Sequence, residues 1–450
     1  MSAARRDRVV VLGGGLSGLA AAAALAEAGV RSVTILEAGP GVGGLAGSFA
    51  NDHGVFPLGY HHILPRDRTL LFVLDALGLG ERVLWKRVPL LFHRNGRSFD
   101  LSRPLDFLRF PLSPPDKARF VALMLRCFAK SDWSDWAGRS AEELVETWGS
   151  RSLREQMFDP LTRVKFELPS REVSAAWLGA RLHYREGSSP LGYMPGTNWT
   201  RELVRGLARL VVDLGAVIHA GMRVARITHT RRDDAPAIEV VTQDGATFEA
   251  DWIVSTIPTT QYAKLAPDDA TPGLDAIRYT ALTSVIVAAR AELAREFYWM
   301  TVLDPGYSIS GLFVLDALNA TLGLPGWRYF NLVTHSQSPE SDLFRQSDDE
   351  ILARHERDLH RLVGAPREVA WRVVNKVRLY SPVLVPSYAN PPVRSVGAPQ
   401  VFFAGNYRTY PSVVSTGTAM ASGFDAAGAM LDAMGRGHPP LLRRFARVER

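Results

Sequence analysis

Apolar residues along this chain come in short bursts whose spacing changes from one burst to the next. "RVVVLGGG" (8–15) is a β-branched run stopped by glycines. "LSGLAAAAALAEAG" (16–29) follows with helical, alanine-rich spacing and ends at Gly29 in a C-cap position, and "SVTILEA" (32–38) is a second buried run. The order predicts strand, tight turn, helix, strand. Further on, "IEVVTQDGATFEADWIVSTIP" (238–258) predicts two strands joined at Asp244-Gly245 and then a buried strand ending at Pro258. "RFPLSPPDKARFVALMLRCFAK" (109–130) opens a helix, with Ser113 as N-cap, Pro114 in the first turn and Asp116 near the positive end of the dipole. Its Phe120, Leu123, Met124 and Cys127 share an apolar face surrounded by Lys117, Arg119, Arg126 and Lys130. Such a face either packs within its own domain or rests peripherally on a membrane.

The first strand–helix–strand unit carries chemistry. Gly13, Gly15 and Gly18 form G-x-G-x-x-G, Leu16 and Ser17 open the helix, and Glu37 ends the second strand nineteen positions after Gly18, followed by Ala38. Gly13 permits the turn, Gly15 lets backbone approach a pyrophosphate, and Gly18 lets helix and strand pack closely. The free N–H groups at the helix start suit the anion, and a carboxylate at the second strand's end suits ribose hydroxyls. The unit therefore predicts dinucleotide binding.

Composition narrows the class. With 450 residues, 46% hydrophobic and 22% charged, the chain is long enough for two or three globular domains, and its single Cys127 rules out an internal disulfide. The net charge of +6 is mostly scattered. Only "ARRDR" (4–8) and "LLRRFARVER" (441–450) concentrate it, and both read as solvated ends, so no nucleic-acid partner is expected. No apolar run reaches the roughly 18 residues that cross a bilayer. The opening resembles a signal peptide, yet its glycines interrupt the apolar run and Glu27 follows, so it is read as folded structure and the protein as cytoplasmic.

Beyond Glu37, "AGPGVGGLAGSF" (38–49) resembles, in Gly43, Gly44 and Leu45, the second motif of FAD enzymes of the amine oxidase and protoporphyrinogen oxidase superfamily, with Leu45 where an Arg is often found. "LGYMPGTNWTRELVRGLARLVVDLGAVIHAGMRVARI" (191–227) resembles the segment that re-enters the FAD domain, and the resemblance puts the backbone of Val224 at the adenine. "VFFAGNYRTYPSVVSTGTAMASGFDAAGAML" (401–431) resembles the closing flavin motif, with Gly405, Asn406 and a helix opening at Thr416, Gly417 and Thr418. A helix start aimed at the N1 edge of a flavin stabilises the negative charge of its reduced form.

The likeness implies an α/β fold: a Rossmann-like FAD-binding domain (GR2-type) from 1–85, 191–264 and 386–440, with a mixed α+β substrate-binding domain inserted as a mainly helical 86–190 and a sheet-plus-helix 265–385. The last residues, 441–450, are left as a basic tail. No second G-x-G-x-x-G follows a strand elsewhere, so no separate nicotinamide domain is expected.

"PLGYHHILPRD" (57–67) sets His61 beside His62, after Gly59 and Tyr60. In an extended segment neighbouring side chains point apart, so one metal ion could not take both, and no metal site is expected. The stretch is similar to the histidine-bearing segment of UDP-galactopyranose mutases, which implies that one histidine approaches the flavin while the other bonds backbone. "FDPLTRVKFELPSREVSAAWLGARLHYREG" (158–187) carries Arg163, Lys165, Trp177, Arg181 and Arg185, which either meet an anionic substrate group or are ion-paired at the surface.

In "TSVIVAARAELAREFYW" (283–299), Val287 stands where many flavin amine oxidases carry a lysine. Tyr298, Trp299, Trp327, Tyr329 and Tyr388 either line a pocket or are core. The candidate catalytic set is His61, His62, Arg163 and Tyr388. The resemblance, to the protoporphyrinogen oxidase and phytoene desaturase branch, implies noncovalent FAD, hydride removal from a C–H bond of a fairly large, hydrophobic small molecule (a desaturation), and oxygen or a quinone as acceptor. Two alternatives belong to the same likeness: an amine oxidase, or a mutase using reduced flavin with Arg163, Arg181 and Arg185 on a sugar nucleotide's pyrophosphate. A catalytically silent flavin-bound partner protein is a third.

Overall fold

The computed structural model describes residues 7–184, 189–232 and 235–448. The chain enters as β1 (Arg8–Leu12), α1 (Leu16–Glu27) and β2 (Ser32–Glu37), with β1 and β2 parallel and Val10 opposite Thr34. Alanine makes α1 a thin, almost wholly buried helix, so a second helix can lie across it. Asp67 then caps α2 (Arg68–Ala76) by accepting the Leu70 N–H.

The first excursion from this domain begins with a hairpin, β3 (Leu90–Arg94) and β4 (Arg97–Phe99). Its two-residue loop, Asn95-Gly96, takes positive φ at both positions (52° and 68°), as a tight hairpin turn requires. Helices α3 (Pro104–Arg109), α4 (Pro114–Ala129), α5 (Asp159–Phe166) and α6 (Ala175–Tyr184) follow. Ser113 caps α4 as the sequence predicts, its hydroxyl accepting the Asp116 N–H. Leu123 and Cys127 of α4 are buried, and Phe120 and Met124 are partly so: this face packs inward. A different stripe, Val121, Leu125 and Phe128, is exposed, together with Leu105 and Leu108 of α3.

The chain returns as β5 (Val217–Ala220), then an antiparallel trio β6 (Val224–Arg232), β7 (Ala235–Thr242) and β8 (Thr247–Ala250), and β9 (Trp252–Ser255). The turn between β7 and β8 lies at Asp244-Gly245, as the sequence predicts. A second excursion supplies β10 (Tyr279–Arg290), β11 (Trp299–Val302), β12 (Gly311–Val314), β13 (Arg328–Ser336), α7 (Asp348–Val363) and β14 (Glu368–Pro382). The chain closes with β15 (Val401–Phe403), α8 (Thr416–Ala433) and α9 (Pro440–Val448).

Two sheets result. The first is five-stranded and parallel, in the order β15-β9-β1-β2-β5, drawn from distant parts of the chain. The second is seven-stranded, in the order β14-β10-β13-β12-β11-β3-β4, so the helical first excursion also contributes a hairpin. The α/β architecture with a Rossmann-like sheet is the one expected. The tail is not: α9 buries Leu441, Leu442 and Phe445, and Phe445 packs against Phe424 of α8 with ring centroids 4.9 Å apart. Its arginines are spaced so that an apolar stripe remains free to dock, which a count of basic residues does not reveal. Among the described residues no helix is long and apolar enough to cross a membrane.

Candidate active site

The glycine turn is built by close approach. Gly13 has φ of +98°, and a Cβ at Gly18 would lie 2.0 Å from the Gly13 carbonyl oxygen, so no larger residue fits at Gly18 without moving the helix. Gly15 caps α1 with no side-chain hydrogen bond, no acid follows in the first turn, and the space beside its Cα is open. The N–H groups at this helix start are therefore left for an anion. The hydroxyl of Ser17 is committed elsewhere, donating to the Ala419 carbonyl of α8 at 2.7 Å.

The second glycine stretch is stitched to the first: the Gly43 N–H donates to the Gly14 carbonyl (2.8 Å), and Gly44 passes directly over Gly15. Leu45 sits half-exposed in the short turn Gly44–Ala46. Glu37 accepts the Gly14 N–H at 2.7 Å and the Gly39 N–H at 2.6 Å, which holds its carboxylate at the mouth of the turn beside half-buried Ala38. The Met222 N–H reaches the Glu37 carbonyl (2.8 Å), bringing the start of β6, Val224, to the same edge. The N–H donors of an uncapped helix start, an anchored carboxylate that accepts and the open space at Gly15 suit the pyrophosphate and ribose of a dinucleotide.

The closing stretch differs from expectation in its hydrogen bonds. The Gly405 N–H donates to Ser422 Oγ (3.0 Å), and Asn406 Nδ2 donates to the Tyr380 carbonyl (2.7 Å), tying β14 to this domain. Of the α8 donors singled out at Thr416, Gly417 and Thr418, the Thr418 N–H is taken by Ser415 (3.1 Å) and the Gly417 N–H by Asp67 (3.3 Å). Asp67 thus serves two helix starts, α2 and α8.

His61 and His62 lie beyond the strand Gly54–Pro57 and take separate partners. His61 is half-buried. Its Nδ1 lies 3.1 Å from the Gly59 carbonyl, and its own carbonyl accepts the Trp199 indole N–H at 3.2 Å. Burial pushes its imidazole down to about 4, so it is neutral at physiological pH and donates Nδ1–H to Gly59. His62 faces Tyr298 (3.3 Å to the hydroxyl) and forms a triangle of rings with Tyr60 and Trp299, 6.4 and 6.2 Å from it, while Tyr60 stacks on Phe313 at 3.7 Å. Among the described residues no group of three or more His, Cys, Asp or Glu is placed to hold a metal ion.

Arg163 is a correction. It is exposed on the outer face of α5, and two positions on a helix turn a side chain about 200°. Lys165 therefore points inward, its Nζ 3.2 Å from His335 Nε2 and 5.2 Å from the ring of Tyr380. Arg181 of α6 lies 5.7 Å from the Trp299 ring, Trp177 packs in the core on Phe166 at 4.7 Å, and Arg185 lies outside the described residues. The Tyr388 hydroxyl is used by the Tyr407 carbonyl at 2.5 Å. Trp327 and Tyr329 gather round His53 instead of the histidine pair, with the Tyr329 hydroxyl 3.1 Å from His53 Nδ1. His335 and Tyr380 escaped sequence reasoning, because nothing in the strand sequences of β13 and β14 sets them apart.

Comparison with known proteins agrees with this geometry. Residues 16–431 match the family described as flavin containing amine oxidoreductase. The chain belongs to that family. It is 25% identical over 271 residues to human amine oxidase [flavin-containing] B, covering 57% of this chain and 51% of that one, so the match spans about half of the relative's length. It is 28% identical over 323 residues to bovine (Bos taurus) protoporphyrinogen oxidase, covering 62% and 65%. The structure of reduced UDP-galactopyranose mutase superposes with a TM-score of 0.73 over 99% of each chain at 14% identity, a likeness of fold.

Against the family's lysine, β10 supplies a second correction. Val285, Val287 and Ala289 face Ile351 and Leu359 of α7, whereas Leu282 and Ala288 face Phe56 and Tyr298. Val287 is thus on the far side of the sheet from the histidine segment. Strand alternation puts Leu282, Ser284, Ile286 and Ala288 on the near side. Ser284 Oγ comes closest to Gly59 and accepts from Asn331 Nδ2 at 2.7 Å. No lysine stands on that side of β10.

Proposed function

We propose that the chain binds FAD noncovalently and dehydrogenates a C–H bond of a fairly large organic substrate, in the manner of protoporphyrinogen oxidases and phytoene desaturases. The uncapped start of α1 facing the anchored Glu37 carboxylate carries the cofactor reading. Gly13, Gly15, Leu16, Gly18 and the Gly43–Leu45 turn would hold the pyrophosphate, Glu37 the ribose, and Val224 the adenine edge.

Bound FAD would supply the hydride acceptor. The chain's own part is to orient the substrate between Tyr60, Trp299 and Tyr380 and to hold a neutral imidazole at His61 that adds no positive charge. A proton released from substrate would pass to His62, whose ring already meets the Tyr298 hydroxyl. The lysine-free near side of β10 favours carbon-skeleton dehydrogenation over amine oxidation. Oxygen or a quinone would take the electrons onward. The protein would work in the cytoplasm, touching membrane peripherally through the exposed apolar stripe of α3 and α4.

The test is an anaerobic titration of the yellow protein with porphyrinogens, polyenes, amines and sugar nucleotides. Bleaching by a porphyrinogen or polyene supports the reading. Bleaching by amines alone defeats it, as does turnover of a sugar nucleotide only after prior reduction. A colourless protein that refuses FAD defeats the cofactor assignment.

A further inference from the structure

Away from the glycine turn and the histidine segment, a groove of about 650 Å3 opens between the short helix that follows β9 (Thr259–Leu265) and the second sheet, at the start of β10 and the latter half of β14. Its volume is that of a small-molecule site. Four cations reach it from four separate stretches of chain: Arg223 just before β6, Lys264 on the short helix, Arg278 just before β10 and Arg378 on β14. One carboxylate, Glu340, lines the groove with them. It lies 3.4 Å from Arg378, and both side chains are largely exposed, so the pair contributes little.

The other three cations are unspent. Among the described residues, the side chains of Arg223, Lys264 and Arg278 have no hydrogen-bonding or ion-pair partner. Elsewhere on the chain, arginines at the edges of sheets are matched by acids, Arg8 by Glu249 and Asp251, and Arg328 by Glu296 and Asp316. The groove departs from that pattern. Cations converging on a concave, low-dielectric wall focus a positive potential that concentrates anions. Three of the four are guanidiniums, whose planar forks match phosphate oxygens two at a time. Four cations less one carboxylate leave an excess of three positive charges. A single phosphate monoester carries only about 1.5 to 2 negative charges at neutral pH, so that excess calls for two phosphoryl groups. Ile277 and Leu379 line the same groove and offer apolar surface to an organic body.

We propose that this groove is a second ligand site, a receptor for a diphosphate group held by Arg223, Lys264, Arg278 and Arg378. It is separate from the site assigned to FAD and holds its ligand while the cofactor is bound.

Inorganic pyrophosphate and ADP are titrated calorimetrically into the full chain at fixed ionic strength, first as purified and then saturated with FAD. Pyrophosphate binds in both states, and the flavin is retained. Arg278→Gln and Arg378→Gln each weaken that binding about tenfold, the loss expected for a hydrogen bond to a charged group. Arg163→Gln, exposed on the outer face of α5, leaves it unchanged. ADP binding at least as tightly as pyrophosphate names an organic diphosphate as the ligand, and weaker ADP binding names the inorganic ion. No heat from either compound with the unaltered protein overturns the proposal whether or not any variant folds. So does binding that survives both Gln substitutions, and so does binding that FAD abolishes, which belongs to the glycine turn. Refusal of FAD defeats the cofactor assignment alone, because the two Gln variants are then compared on the protein as purified.

Discussion

Glu37 holds two backbone N–H groups with one carboxylate, and its position at the mouth of the glycine turn follows from those two bonds. Replacing it with Ala leaves the Gly14 and Gly39 donors without their acceptor and takes away the carboxylate proposed for the ribose. A hydrogen bond to a charged group contributes about 1.5–3 kcal/mol. Glu37→Ala is therefore expected to weaken FAD binding about ten- to a hundredfold, measured by fluorescence of released flavin on dilution, and an unchanged dissociation constant would remove Glu37 from the ribose site. Residue chemistry in this region is readable from spacing because a turn, a helix start and a strand end are all local. His335 shows the opposite case. Nothing near it in "FNLVTHS" says that Lys165, 170 positions earlier, will be its partner.

At the scale of elements, α4 separates two apolar stripes that the sequence alone merges. Leu123 and Cys127 turn inward, while Val121, Leu125 and Phe128, each a turn or so apart, stay exposed beside Leu105 and Leu108 of α3. Arg109 at the end of α3 and Arg126 on α4 bring positive charge to that surface, while Arg103 and Arg119 nearby are paired with Asp100 and Asp116. If it rests on anionic lipid, the protein floats with phosphatidylserine vesicles and loses that association in high salt and in a Leu125→Asp variant, while its thermal stability is unchanged. Recovery with neither neutral nor anionic vesicles would discard the membrane assignment, and equal recovery with both would discard its dependence on anionic lipid. Helix α9 teaches the complementary lesson: a stretch that reads as a charged tail docks, because Leu441, Leu442 and Phe445 fall on one side once the segment is helical.

Over the whole molecule, buried imidazoles set an acid limit. His61 and His355 are both pushed from 6.5 to about 4, chiefly by burial. Because their folded values lie below the unfolded one, the unfolded chain takes up protons that the folded chain refuses as pH falls below about 6.5. The contribution of each is whole above that pH and is lost progressively down to about 4. For fully buried His355 the loss reaches up to about 3 kcal/mol. Urea midpoints should drop between pH 7 and pH 4.5, with a shallower drop in His355→Leu. A flat profile would mean that these rings protonate in place.

The amino-acid order by itself determined the opening unit of this protein: β1, the glycine turn, α1 and Glu37 are contiguous, and their periods and turn residues need no distant partner to be read. It also determined the cap of α4 and the Asp244-Gly245 hairpin, for the same reason. Only the tertiary structure decided which side of β10 faces the histidines, which cation of "RVK" turns inward, and that Asp67 meets α8. Those outcomes depend on strand register, helix rotation and the packing of segments hundreds of residues apart, where a shift of one position exchanges the buried face for the exposed one.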